Sequence, residues 1–171
     1  MPALFIKRVF AFCIDYMVIL VYVVGLYLAS TLLHSLNVDL SFESPFHQQL
    51  LGFFTLTLPV FLYFFLNEKY RSSTVGKRLM DLVIQKNVLE KKSNIFLRNL
   101  LKFLPWEIAH TGVYFLFYFD KHNQEIPIWL WFVLIVPQIV ILIYLLSILF
   151  SKGKSSLYDL IANTKISLRS S

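Results

Sequence analysis

The chain has 171 residues, of which 57% are hydrophobic, 17% aromatic and only 15% charged, with a net charge of +6. A soluble globular domain carries nearer ~25% charged residues. Together with a mean hydropathy of +0.66, this excludes an ordinary water-soluble enzyme or binding module and points to an integral membrane protein, read as a single domain over 1–171. One cysteine, Cys13, excludes a disulfide framework.

The first apolar run, Val9 to Leu33, follows Lys7-Arg8 and carries Asp15 inside it. It is longer than a signal-peptide core, contains a carboxylate and lacks a small-residue cleavage site, so it reads as a spanning helix and not as a removable leader. A helix needs roughly 20 apolar residues to cross the hydrocarbon. Four segments meet that length, at about 9–33, 46–66, 99–119 and 127–150. The second lies in an uncharged run from Ser44 to Asn67 and the fourth in one from Ile126 to Ser151. The third is interrupted by Lys102, Glu107 and His110. Lys102, near one end, is expected to snorkel to the headgroups.

The connecting segments differ sharply in charge. The 34–45 loop holds Asp39 and Glu43 and no basic residue, and the 120–126 loop holds only Lys121 against Asp120 and Glu125. The 67–98 loop holds Lys69, Arg71, Lys77, Arg78, Lys86, Lys91, Lys92 and Arg98. With Lys7 and Arg8 before the first span and four more basic residues in the 151–171 tail, 14 of the 16 basic residues fall on one side. That asymmetry implies cytoplasmic amino and carboxyl termini. It accounts for the positive charge through membrane topology and attraction to anionic lipid headgroups, and nucleic acid is not needed to explain it.

Two short pieces outside the spans have strand character. Leu79 to Lys86 is rich in β-branched residues, with a turn expected at Asn87. Thr164 to Arg169 alternates polar and apolar. The expected fold is an all-α membrane protein of four transmembrane helices with a small cytoplasmic cap. In that cap the two strands pair, and a short helix over 157–162 lies against the membrane surface.

Polar groups within the spans are where chemistry is expected, because an intramembrane carboxylate is costly. Asp15 lies seven residues after Arg8, on the same helical face and about 10 Å further along. That face continues through Ala11, Tyr22, Gly25 and Ala29, and the small Gly25-xxx-Ala29 pair is expected to admit another helix. Two readings stand for Asp15: a cation or proton site, or a buried salt bridge to a basic residue of the 67–98 loop. Glu107 and His110 are neighbours three residues apart and suit either a proton relay or a hydrogen-bonded pair holding helices together. A di-iron centre would need a second Glu-x-x-His and two further glutamates, which are absent. Pro59 and Pro137 free the carbonyls of Thr55 and Val133, which reads as ordinary helix kinking. Gly76-Lys77 lacks the spacing of a phosphate loop. Ser156-x-x-Asp159 has the spacing of a capping box. No hydrolase set and no metal or cofactor site is expected, and the chain is not read as an enzyme.

Several of these stretches together resemble the RDD family of bacterial membrane proteins. Lys7-Arg-Val-Phe-Ala-Phe-Cys-Ile-Asp15 is similar to its opening motif and Ser73-Thr-Val-Gly-Lys-Arg78 to its Thr-x-Gly-Lys segment. Arg98-Asn-Leu-Leu-Lys102 is similar to its basic start of helix three, and Ser156-Leu-Tyr-Asp-Leu-Ile-Ala-Asn-Thr-Lys165 to its closing segment. The resemblance implies that Arg8, Asp15 and Asp159 are the arginine and two aspartates that name the family. Tyr158 stands where the family has histidine, so no proton role is carried over there. The fourth helix matches no specific motif.

Some members of the family are associated with cation/proton antiport. The resemblance therefore implies a cation/proton-coupled transporter of the bacterial inner membrane, moving a monovalent cation against a proton. Asp15 would be the main ion site, Glu107 and His110 a relay, and Arg8 with Asp159 a cytoplasmic gate or structural pair. Four helices are few for such a path, so a homo-oligomer is expected. The alternative is a non-transporting scaffold or accessory protein whose polar residues only pack helices.

Overall fold

A computed structural model describes residues 2–38, 44–86 and 93–169 of the chain. Asp39, Glu43, Lys91, Lys92 and the turn expected at Asn87 lie outside these residues. The first helix, α1 (Pro2–Ser35), runs 34 residues, or about 50 Å. It exceeds the predicted span because Lys7 and Arg8 continue the helix below it. A second long rod is built from α2 (Pro45–Gly52), one π-helical turn (Phe53–Thr57) and α3 (Leu58–Arg71). The π-turn arises where Pro59 enters, and the Leu58 amide reaches back five residues to the Phe53 carbonyl. The Thr55 carbonyl that Pro59 cannot engage accepts instead from the Tyr22 hydroxyl at 2.5 Å, which pins α1 to the rod.

Ser72 takes a left-handed φ of 56° and ends α3. A five-residue helix, α4 (Val75–Leu79), leads through a left-handed Asp81 into β1 (Leu82–Lys86). The strand thus begins three residues later than the β-branched content of 79–86 predicts, because Leu79 ends the helical turn capped by Thr74 and Met80 and Asp81 form the turn after it. Two helices follow, α5 (Ile95–Lys121) and α6 (Ile128–Phe150), packed along one another. The chain closes with α7 (Leu157–Ile161) and β2 (Thr164–Leu168). The two strands pair, as expected, and they run antiparallel, with Ile84 opposite Ile166 and Leu82 opposite Leu168.

Three helical stretches are long and apolar enough to cross a membrane: Ala3–Ser35, Pro45–Arg71 and Ile128–Phe150. Most of their large apolar side chains are exposed, the pattern of a surface that faces lipid. The predicted third span falls within α5, whose 27 residues are long enough but whose Lys102, Glu107 and His110 keep it out of that set. The apolar core sits beneath the cap, where Leu82, Ile84 and Ile166 close on Ala11 and Ile95. Gly25 and Ala29 are exposed, and a side chain at 25 would meet nothing within 4 Å. Among the described residues no helix makes the close approach expected there. Small residues permit such contact without compelling it, and Tyr22 carries the link to the neighbouring rod with its hydroxyl.

Replacing Ile84, 4% exposed, with Ala is expected to cost ~2–5 kcal/mol. The loss should appear as faster amide exchange across β1 and β2, with α5 and α6 retaining their protection.

Candidate functional site

Arg8, Ala11 and Asp15 face one way from α1, and all three are buried. Gly76 of α4 packs on this stripe so tightly that a Cβ there would lie 2.0 Å from the Ala11 carbonyl oxygen. That approach lets the Gly76 amide donate to Asp15 Oδ1 at 2.9 Å. The Tyr63 hydroxyl donates to the same oxygen at 2.9 Å, and the Thr74 hydroxyl to Oδ2 at 2.5 Å. Thr74 is also the cap of α4, so the carboxylate is seated at the free amides of a helix start. Among the described residues no cation lies within ion-pair distance of Asp15. The salt bridge read as one alternative is therefore replaced by three neutral donors, which satisfy the carboxylate without a counter-charge. Asp15 is 2% exposed.

Arg8 turns to the other end of the chain. Its guanidinium donates to Asp159 Oδ2 at 2.7 Å, to the Tyr158 hydroxyl at 3.3 Å and to the Gly153 carbonyl at 3.1 Å. Asp159 forms the expected capping box with Ser156 and also accepts from Arg98 Nε at 2.7 Å. The far edge of Arg98 meets Glu68, which in turn holds Lys77 and accepts from Asn99 Nδ2 at 2.9 Å. The result is an alternating chain, Lys77–Glu68–Arg98–Asp159–Arg8. Glu68 and Asp159 are wholly buried, and each is held between two cations. Burial opposes charge on Asp159, but the Arg98 and Arg8 guanidiniums override it and hold the carboxyl below its usual range. Burial draws the Lys77 ammonium down, and Glu68 opposes that pull.

Sequence reasoning reached Arg8, Asp15 and Asp159 and missed Glu68, Lys77, Arg98 and Asn99. Glu68 was counted into a loop, and Lys77 and Arg98 into the charge that faces lipid headgroups. The available signal was an isolated acid, Glu68, ending an apolar helix on the side rich in Lys and Arg.

A second polar cluster lies on α5, about 14 Å along the helix from Arg98. Gln49 of α2 donates to Thr111 Oγ1 at 2.5 Å and to Glu107 Oε1 at 3.4 Å. Glu107 Oε2 is buried with no hydrogen-bond partner among the described residues. The Tyr114 hydroxyl fits over Gly52, where a Cβ would come within 2.2 Å of it. His110 does not pair with Glu107 but stands edge-on to Trp106, with ring centroids 4.5 Å apart. The link between helices expected of Glu107 and His110 is thus made by Gln49, Glu107 and Thr111. Lys102 lies 3.4 Å from the centre of the buried Phe64 ring, so its ammonium rests on an aromatic face and does not reach outward. No cluster of three His, Cys, Asp or Glu side chains able to hold a metal occurs among the described residues.

The model of the RDD family matches residues 2–163, which takes in Arg8, Asp15 and Asp159. No curated protein matches the chain, and no solved structure does.

Glu68→Gln is expected to leave Arg98 and Lys77 against a neutral amide in a closed site, at a cost of ~3–5 kcal/mol, read as a fall in Tm in detergent. The depressed Asp159 carboxyl contributes stability that is complete above the ordinary carboxylate range near ~4 and is lost as pH falls below it. Tm should therefore hold from neutral pH to about 5 and drop below about 4. Asp159→Asn should start lower and respond less to acid.

Proposed function

The chain belongs to the RDD family, and from that premise we propose that it is a multi-pass protein of a bacterial inner membrane that exchanges a monovalent cation for a proton. Four helices span in this reading, α5 being the fourth. Its length and its packing along α6 support this, as does the engagement of Glu107 and Lys102 within the protein. Both termini lie on the cytoplasmic side, supported by the gathering of Arg8, the 72–86 segment and the tail at one end with most of the basic residues.

The ion site moves from Asp15 to Glu107. Asp15 is saturated by three donors, whereas Glu107 keeps one buried oxygen without a partner, and that oxygen carries the proposal. An unpaired carboxylate oxygen in an apolar bundle is expensive, and either a proton or a small cation relieves it. One carboxylate that holds one or the other at a time yields exchange by competition. His110, three residues on, stays the relay candidate, and Arg8 with Asp159 closes the cytoplasmic end.

A scaffold role without transport is the second reading. It is favoured by the complete pairing of Glu68, Arg98, Asp159 and Arg8, which resembles a structural lock more than a pathway. Reconstitution separates the two. A pH gradient across proteoliposomes is expected to drive sodium or potassium exchange, Glu107→Gln to abolish it, and Asp15→Asn to reduce it chiefly through lost folded protein. Wild-type liposomes without exchange, or full exchange by Glu107→Gln, would remove the transport site proposed here.

A further inference from the structure

The face of α6 turned away from α5 is unusual for one residue. Leu130 and Pro137 are buried, and the Tyr144 hydroxyl donates to the Leu101 carbonyl at 3.1 Å, which defines the inward side. Gln138 is exposed, ten residues from Ile128 and twelve from Phe150, close to the middle of the helix. Its amide makes no hydrogen bond among the described residues. It lies in an open groove with Trp131, Leu134, Ile135, Ile139 and Leu142, all apolar. A primary amide facing hydrocarbon has two donors and an acceptor that lipid tails cannot satisfy.

We propose that this face binds a second copy of the chain, forming a parallel dimer with Gln138 paired to its symmetry mate. Two observations single out that occupant. The first is the sequence register. Trp131, Ile135, Gln138, Leu142, Leu145 and Leu149 follow alternating steps of four and three, and all are exposed. That is the seam of a two-stranded coiled coil, in which a lone polar residue fixes register and partner number. The second is self-complementarity. Copies inserted in one orientation relate by a two-fold axis along the membrane normal, which sets each residue of the seam against itself. A glutamine amide is both donor and acceptor, so two such groups can exchange a reciprocal pair of hydrogen bonds. Interhelical hydrogen bonds of this kind hold membrane helices together. A lipid tail would fill the groove and leave the amide unpaired. The inference depends on α6 alone and not on the transport reading.

Because Gln138 makes no hydrogen bond among the described residues, Gln138→Leu is expected to fold with an unchanged Tm. Energy transfer between labelled copies, followed as protein is diluted into bilayers, should show the wild type dimerising and Gln138→Leu associating about tenfold more weakly. In a Cys13→Ser background, Ile135→Cys should cross-link on oxidation, and Val136→Cys, turned about 100° away, should not. A wild type that stays monomeric at every dilution would overturn the proposal. So would equal association of Gln138→Leu, or cross-linking at 136 in preference to 135.

Discussion

Arg98 is the group on which the end of the protein that carries the two-stranded sheet depends. It is 1% exposed and bridges two fully buried carboxylates, Glu68 from α3 and Asp159 from α7. A lone guanidinium at that depth would lose its hydration without return, and either carboxylate alone would face the same deficit. The arrangement is tolerable only as a set, with Lys77 and Arg8 completing the alternation. A fully paired set of this kind has one good geometry, so it fixes how α1, α3, α5 and the tail meet more sharply than the small apolar core beneath the sheet could. Bonds to lipid-facing side chains add little here, since apolar groups gain no advantage by leaving hydrocarbon for each other.

The two polar regions differ in how far their bonding is complete. At the cap, Asp15 takes three donors and Asp159 takes two guanidiniums and the Ser156 amide. On α5, Glu107 shares a single amide with Thr111 and keeps an oxygen idle. Saturation stiffens a site, and an unmet hydrogen-bonding demand leaves it able to bind. The contrast assigns the ends different work. One holds the helices in register, and the other leaves a buried acceptor unmet.

Much of the framework could be read from the residues because it rests on local rules. The long apolar runs, the strand pair and the capping box at Ser156 all follow from composition and period over a few positions. The freed carbonyl of Thr55 also followed from Pro59, although not the Tyr22 hydroxyl that claims it. What stayed hidden are pairings across the chain. Arg98 lies 30 residues from Glu68 and 61 from Asp159, and no spacing rule connects them. Lys77 and Arg98 were absorbed into a topology count that treats every basic residue alike, whether it faces headgroups or a buried acid. The partners of Asp15 stayed hidden for a related reason. Position shows a carboxylate within a long apolar helix, but not that Gly76 comes close enough for its backbone amide to reach it.

The bond between Arg8 and Asp159 spans 151 residues, and this bears on how the protein is made. Synthesis runs from the amino end, and the last anion of the network, Asp159, follows Arg98 by 61 residues. Until translation reaches Asp159, Arg8 and Arg98 are already present with one carboxylate too few. Assembly of the network must therefore wait until Asp159 has been made. A chain cut short before that point keeps its apolar helices but leaves Arg8 and Arg98 without the carboxylate they share.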